Sequence, residues 1–287
     1  MKPFILLQSD FSLTWGAVAM MKGVIKQVDP ELEIYDLCHN IRSYDPWAAS
    51  LSLAACEPFW PKGTVFISVV DPGVGTSRKA AAAKLNDGNI VISPDNGSLT
   101  HMKVNPGIAE IREIDETKYR RPNASPSGVF DGRDLFSYCG ALYASGKISF
   151  EEIGPAYSAD SVTECEEHHI QPETGDHFAK GFIIMDLPHF GGIQTNISNE
   201  KWKEAGFEEG DLIHVLIRHS KVPVFEQDIP YVHSFAFVEK GRPLLYLSSS
   251  GRVAIDCNQA SFMDRYGVRS GKHWTIELSR AGEKTKR

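Results

Sequence analysis

Cysteine is scarce in this chain and poorly placed for pairing. Its five residues, Cys38, Cys56, Cys139, Cys165 and Cys257, lie far apart, are odd in number and include no C-x-x-C step. That pattern argues against a disulfide framework and a thiolate zinc site, and a reducing compartment fits best. Long apolar runs are also missing: Phe4–Leu7 is far too short for a signal h-region or a membrane span, so the chain is expected to be cytoplasmic. Basic charge is in deficit, with 30 Lys+Arg against 37 Asp+Glu and a net charge of −7. Attraction to polyanions is correspondingly weak, and neither nucleic acid nor membrane is an expected partner.

The spacings that mark common catalysts are absent as well. No Gly-x-Ser-x-Gly elbow occurs, the histidines show no H-x-x-x-H or H-E-x-x-H pattern, and no Gly-Lys-Ser/Thr follows Gly73 and Gly75. His168 and His169 are adjacent in a polar stretch, so their side chains need not converge. Cys56 falls in an apolar helical pattern, where a cysteine is more often core than nucleophile. No covalent catalyst, metal or cofactor is expected, and a small molecule is the partner to explain. A phosphatase or nucleotide hydrolase built on the glycine-rich turn lacks the metal-ligand spacing it would need.

What is present fills a real core: 287 residues at 42% hydrophobic content are enough for one large domain or two ordinary ones. Phe4–Leu7 reads as a strand buried on both faces, ending at polar Ser9-Asp10. Ala17, Met20, Met21, Val24, Ile25 and Val28 recur at helical spacing up to Asp29-Pro30, Glu33–Cys38 and Thr64–Val70 read as further strands, and Pro46–Phe59 as a helix. Strand, helix, strand, helix, strand implies a mainly parallel α/β sheet. Ala80–Leu85 and Asn89–Ser93, joined by Asn86-Asp-Gly88, read as a hairpin, and Arg133–Ala144 as a helix. The polar, acidic stretch before Gly181 reads as a linker, beyond which short strands at 181–185, 212–217, 234–238, 244–248, 253–257 and 273–278 imply a small barrel. The expected organisation is an α/β domain over 1–165, a linker over 166–180 and a β-barrel domain over 181–287, with a frayed tail at Lys284–Arg287.

Three segments put polar residues or glycines at strand ends, where open α/β sheets bind ligands. Asp10, after the first strand, suits ribose hydroxyls or caps the next helix. Asp71-Pro-Gly-Val-Gly75 is a rigid turn in which glycine lets backbone approach a ligand, and Arg78 either fixes a carboxylate or closes a surface ion pair with Asp71. Asp131 and Asp134, in Phe130-Asp-Gly-Arg-Asp134, stand at a helix start where capping and the macrodipole explain acids; Asp131 is also placed to face the site. Ser93-Pro-Asp-Asn-Gly97 reads as a turn.

In order along the chain, Ser9-Asp10-Phe11, Met21-Lys-Gly23, Asp36-Leu-Cys-His39, Val70-Asp-Pro-Gly-Val-Gly-Thr-Ser-Arg78, Ser93-Pro-Asp-Asn-Gly-Ser-Leu99, Phe130-Asp-Gly-Arg-Asp134, Thr195-Asn-Ile197 and Ser248-Ser-Ser-Gly251 resemble the S-adenosyl-L-methionine hydroxide adenosyltransferases, relatives of the fluorinase and chlorinase enzymes. The resemblance implies an α/β domain followed by a β-barrel, and a homotrimer with sites at subunit interfaces. It implies hydrolysis of S-adenosyl-L-methionine by water attacking the 5′ carbon, giving adenosine and L-methionine. Asp71 and Arg78 match two members of the family's Asp-Arg-His constellation, while the third, His in the family, is Asp131. Ligand contacts carried over by the resemblance are Asp10, Phe11, Trp15, Tyr44, Pro72, Phe130, Gly132, Asp186, Gly192, Ser249, Ser250 and Asn258. Among these, Asp10 matches the ribose-binding acid, Tyr44 an aromatic beside the sugar, Asp186 an acid facing the methionine ammonium, and Ser249 and Ser250 the methionine end.

Two further positions depart from the family. Trp15 stands where a second ribose-binding Asp is expected, and Phe190-Gly191-Gly192 loses an Asn amide that holds adenine. The departures leave a different class open: a diverged trimer that binds an adenosine-like ligand without turnover. A halogenase is disfavoured, because Asp71 beside a halide would repel it.

Overall fold

The structure, a computed structural model, describes residues 2–125 and 128–282, so the tail Lys284–Arg287 lies outside the described residues. The chain forms two compact units, Met1–Glu166 and Glu167–Arg287.

The first unit is built on strands β1 (Ile5–Ser9), β2 (Ile34–Cys38), β3 (Val65–Val69), β4 (Ala80–Leu85), β5 (Ile90–Pro94), β6 (Ile108–Glu113) and β7 (Ala156–Tyr157), in the order β2-β1-β3-β5-β4-β6-β7. Strands β1, β3 and β5 are buried along their whole length, as apolar runs covered by helices on both faces must be. Helix α1 (Ala17–Val28) buries the stripe Ala17, Met21, Val24 and Ile25. Helix α2 (Pro46–Cys56) starts with proline at its first position and is capped by Asp45, whose carboxylate accepts from Ala48 N at 2.9 Å. Two short helices follow, α3 (Thr100–Val104) and α4 (Glu116–Tyr119). A π-helical turn over Gly132–Phe136 then runs directly into α5 (Ser137–Ala144).

This sheet is mixed, which corrects the expectation of a mainly parallel one. Strands β2, β1, β3 and β5 pair in parallel, but β4 pairs antiparallel with β5 and β6, and β6 antiparallel with β7. The cause is the Asn86-Asp-Gly88 turn, where Gly88 at φ 99° reverses the chain so that β4 and β5 form a hairpin. Strand β6 then joins the free edge of β4.

The second unit is an antiparallel, nearly closed barrel-like sheet. Its strands are β8 (Glu173–Gly175), β9 (Phe178–Leu187), β10 (Gly192–Ser198), β11 (Leu212–His219), β12 (Val222–Pro230), β13 (Pro243–Leu247), β14 (Arg252–Cys257) and β15 (Gly271–Arg280), ordered β12-β11-β15-β9-β10-β14-β13 with β8 pairing β9. A bridge between Tyr231 and Leu245 draws the two end strands together. Short helices α6 (Asn199–Glu204) and α7 (Phe262–Tyr266) complete it, and Trp202, fully buried, stacks on Phe207 at 3.8 Å in its core.

Three readings of this half need amending. Residues 173–175 of the expected linker form β8, and the amide of Asn196 donates to Ile170 O at 3.0 Å. The expected strand over 234–238 is instead a 3-10 turn at Phe235–Phe237. Strands β10 and β12 were hidden because β10 begins with glycine and β12 has a strongly polar outward face.

Candidate active site

Strands β1 and β3 are parallel neighbours, so their C-terminal ends deliver Asp10 and Asp71 to the same edge of the first unit's sheet. Asp71 lies two residues beyond β3, where the Pro72–Gly75 turn brings the chain back toward Arg78. Arg78 grips Asp71 with two nitrogens: Nε donates at 3.1 and 3.0 Å to the two carboxylate oxygens, and Nη2 donates to Oδ2 at 2.6 Å. The same Nη2 donates to Asp131 Oδ2 at 2.6 Å. All three side chains are at least nine-tenths buried. Burial opposes the Arg78 charge, but hydrogen bonds to Asp71 and then to Asp131 more than offset it and raise its pKa above the usual guanidinium value. The guanidinium also lies 5.3 Å from the centre of the Phe136 ring.

Asp131 does not cap the helix it precedes. Its other oxygen, Oδ1, accepts from Arg120 Nη1 at 2.8 Å, and Arg120 Nη2 donates to Glu116 Oε2 at 2.6 Å. Asp134 is likewise engaged by guanidiniums: Arg133 donates at 2.7 and 2.6 Å and Arg121 at 3.0 Å. Burial works against the Asp134 charge, yet the bonds from Arg133 and Arg121 hold its pKa below the ordinary carboxylate value. Arg78, Arg120, Glu116 and Asp131 line an open cleft of about 620 Å³.

Of the first-unit residues expected to contact a ligand, Phe11 and Trp15 pack against Phe130. Its ring meets Phe11 edge-on at 5.6 Å and Trp15 at 6.2 Å, and Arg133 stacks over it at 4.8 Å. Gly132 is required here: a Cβ would come within 2.9 Å of the Phe11 ring and 3.2 Å of Val69. Asp10 does not cap α1; it accepts from Tyr44 N at 3.0 Å, with Tyr44 at φ 64° and its ring exposed. Pro72 is exposed in the turn beside Asp71. Asn96 donates to Val70 O at 3.0 Å and so steadies the end of β3.

Sequence reasoning missed two features. Arg120 was hidden in a turn-rich stretch, and only its fold-dependent contact with Asp131 reveals it. The other is a hydrogen-bonded chain at the end of β1: Ser9 Oγ lies 2.8 Å from His39 Nδ1, and His39 Nε2 lies 3.1 Å from Asp36 Oδ1. A Ser-His-Asp order suggests a nucleophile, but Ser9 is 0% exposed and cannot meet a substrate. Burial lowers the His39 pKa despite Asp36, so the ring is neutral near pH 7 and accepts from Ser9 while donating to Asp36. Phe11 N in turn donates to Ser9 Oγ at 3.3 Å. The chain pins the Asp10–Phe11 turn.

In the second unit, Asp186 lies near the end of β9 and Gly192 opens β10 directly across from Leu187. Gly192 has no room for a side chain, since a Cβ would sit 2.1 Å from Asp256 Oδ2. Asp256 is 1% exposed, and burial pushes its pKa up to about 6. Ser249 and Ser250 are exposed at the β13–β14 turn, where Ser250 Oγ donates to Gln194 at 3.0 Å. Asn258 donates to Val238 O at 2.8 Å. Among the described residues, no three His, Cys, Asp or Glu side chains gather as a metal site.

An α/β unit with an acid–guanidinium cluster at its strand ends, followed by a barrel-like unit, matches a known pairing of domains. Residues 5–154 match the SAM hydroxide adenosyltransferase N-terminal domain and residues 182–275 its C-terminal domain, so the chain belongs to that family. A protein of Salinispora tropica named (R)-S-adenosyl-L-methionine hydrolase is 30% identical over 270 residues, covering 94% of this chain and 95% of that one. One of the same name from Methanocaldococcus jannaschii is 29% identical, covering 91% and 89%. A fluorinase of Actinoplanes sp. is 26% identical, covering 96% and 97%. The crystal structure of an uncharacterized conserved protein from Thermotoga maritima superposes with a TM-score of 0.85 at 29% identity, covering 96% of this chain and all of that one.

Proposed function

We propose that this protein hydrolyses S-adenosyl-L-methionine, with water attacking the 5′ carbon to give adenosine and L-methionine. The observation that carries the reading is the buried Asp71–Arg78 pair, bidentate and shared with Asp131, in a chain similar over nearly its whole length to relatives named as hydrolases of this molecule. In the reaction a C–O bond forms as the C5′–S bond breaks, and the electron pair of that bond leaves with sulfur as the neutral thioether of methionine. A neutral leaving group needs no protonation, so neither a general acid nor a metal or other cofactor is called for. The protein's task is to place one water in line with the C–S bond and to receive its proton. Asp71 is the acceptor placed for that water, and Arg78 keeps its carboxylate from rotating away. Asp131 is the third member.

The negative charge of Asp10, Asp71 and Asp131 suits a cationic sulfonium and repels a halide. Asp10 takes the ribose hydroxyls, with Phe11, Trp15, Tyr44, Pro72, Phe130 and Gly132 around the nucleoside. Asp186, Gly192, Ser249, Ser250 and Asn258 act in a homotrimer, and a light-scattering mass of one chain would refute that assembly. Five free cysteines support a reducing, cytoplasmic setting.

A second reading, binding without turnover, draws on Gly192, where Asp256 fills the space an adenine-holding side chain would need. Chromatography of S-adenosyl-L-methionine incubated with the wild-type protein and with Asp71→Ala separates the two. Adenosine and methionine in equal amounts, lost by at least about 10²-fold in Asp71→Ala and retained with a chelator, are expected. Calorimetric binding with no adenosine above the Asp71→Ala control would favour the binding protein.

A further inference from the structure

Asp131 turns the centre into a two-carboxylate site. Asp71 Oδ2 and Asp131 Oδ2 each lie 2.6 Å from Arg78 Nη2, so the two oxygens are no more than about 5 Å apart, a separation at which like charges repel. One guanidinium carries one positive charge and cannot balance both. We propose that Arg120 is a positioning residue of the active site: by bridging Asp131 and Glu116 it supplies the second positive charge that lets Asp71 and Asp131 stand together as carboxylates. The inference rests on the hydrolase reading and adds a residue to it.

The charges facing Asp131 support this assignment. From the turn after β3 come Asp71 and Arg78; from α4 and the residue after it come Glu116 and Arg120. Glu116 also lies 4.0 Å from Arg78 Nη1, but its side chain is 43% exposed and its charge is screened by water, so the two guanidiniums answer chiefly the buried pair. On Asp131's own turn, Arg133 and Asp134 are committed to one another and to Arg121, and lend it no charge. Arg120 is the only second cation with a hydrogen bond to Asp131 among the described residues. It is placed to act through geometry as well as charge: its two terminal nitrogens engage two different acids at 2.8 and 2.6 Å, a fork that a lysine ammonium reproduces only in part.

The test compares Arg120→Gln, Arg120→Lys and the double variant Arg120→Gln/Asp131→Asn with the wild-type protein. In Arg120→Gln the carboxylate pair holds a proton to higher pH, so the acidic limb of kcat moves up by about one pH unit and kcat at pH 7 falls about tenfold. Arg120→Lys recovers most of the loss. The double variant, with one carboxylate removed, loses the shift. A residue that merely supported the fold would lower activity without moving the limb. Carboxyl carbon NMR of protein labelled at aspartate reads the same proton uptake without turnover: Arg120→Gln should take up a proton at higher pH than wild type. An unchanged titration and an unchanged limb would overturn the inference. Absence of hydrolysis in the wild-type protein would refute the function alone, leaving the NMR titration to decide on Arg120; should Arg120→Gln not fold, Arg120→Lys and the double variant carry the comparison.

Discussion

Asp131 accepts hydrogen bonds from two guanidiniums, Arg78 at 2.6 Å and Arg120 at 2.8 Å. Replacing it by the histidine of the family pattern would set a neutral or cationic ring between two cations and leave Glu116 as the main counter-charge of Arg120. Asp131→His is therefore expected to lower hydrolysis by about tenfold or more, because losing a charge partner inside a buried cluster is costly. Initial-rate measurement at neutral pH checks this; a rate above wild type would show that the carboxylate is an impediment. The sequence makes Asp71, Arg78 and Asp131 legible, since each sits in a motif at a strand or helix boundary where function concentrates. Arg120 is not legible, because its partner Asp131 lies 11 residues on across a turn-rich stretch, and neither residue signals the other by spacing. Asp134 shows the converse: a helix-capping role was expected from its position, and three-dimensional proximity gives it to Arg121 and Arg133 instead.

At the scale of elements, the strands that run into the site are the readable part. Strands β1 and β3 are mostly apolar and buried along their whole length, and the helix α1 has a clean buried stripe. The strand order was less legible, because a hairpin turn is local while the pairing of β6 with β4 depends on how a later segment returns. In the barrel, β10 was obscured by the Gly191-Gly192 start, a stretch whose small residues make room for Ser261 and Asp256.

Another element-scale feature is a buried acid in the 3-10 turn that follows α2, bonded to the residue before β5. Glu57, 2% exposed, accepts from Asn89 Nδ2 at 2.6 Å, and burial with neighbouring Asp87 pushes its pKa up to about 7. The raised folded value means that Glu57 stabilises the fold in full below its ordinary value of 4.5, and that this contribution is lost as pH rises through about 7. Glu57→Gln keeps a neutral group that can still accept from Asn89. It is expected to raise the melting temperature by about 2–4 °C at pH 8 and to change it little at pH 4.5. A melting temperature that falls at pH 8 would show that the charged form is the one the fold prefers.

For the whole molecule, the scarcity of cysteine and of apolar runs excluded classes, and the ordered motifs then named the family to which both units belong. No described helix is long and apolar enough to cross a membrane. The net charge of −7 is not what marks the site, since in the buried cluster Arg78 and Arg120 answer Asp71 and Asp131 charge for charge. The central claim is that this cluster directs water, rather than a halide or a protein nucleophile, to the 5′ carbon. Mass spectrometry of the products formed in oxygen-18 water, with chloride and fluoride present, tests it most directly. Water attack yields adenosine with one heavy oxygen at the 5′ hydroxyl, unlabelled methionine and no halogenated nucleoside; recovery of intact S-adenosyl-L-methionine, or of a 5′-halogenated adenosine, would overturn this role for the cluster.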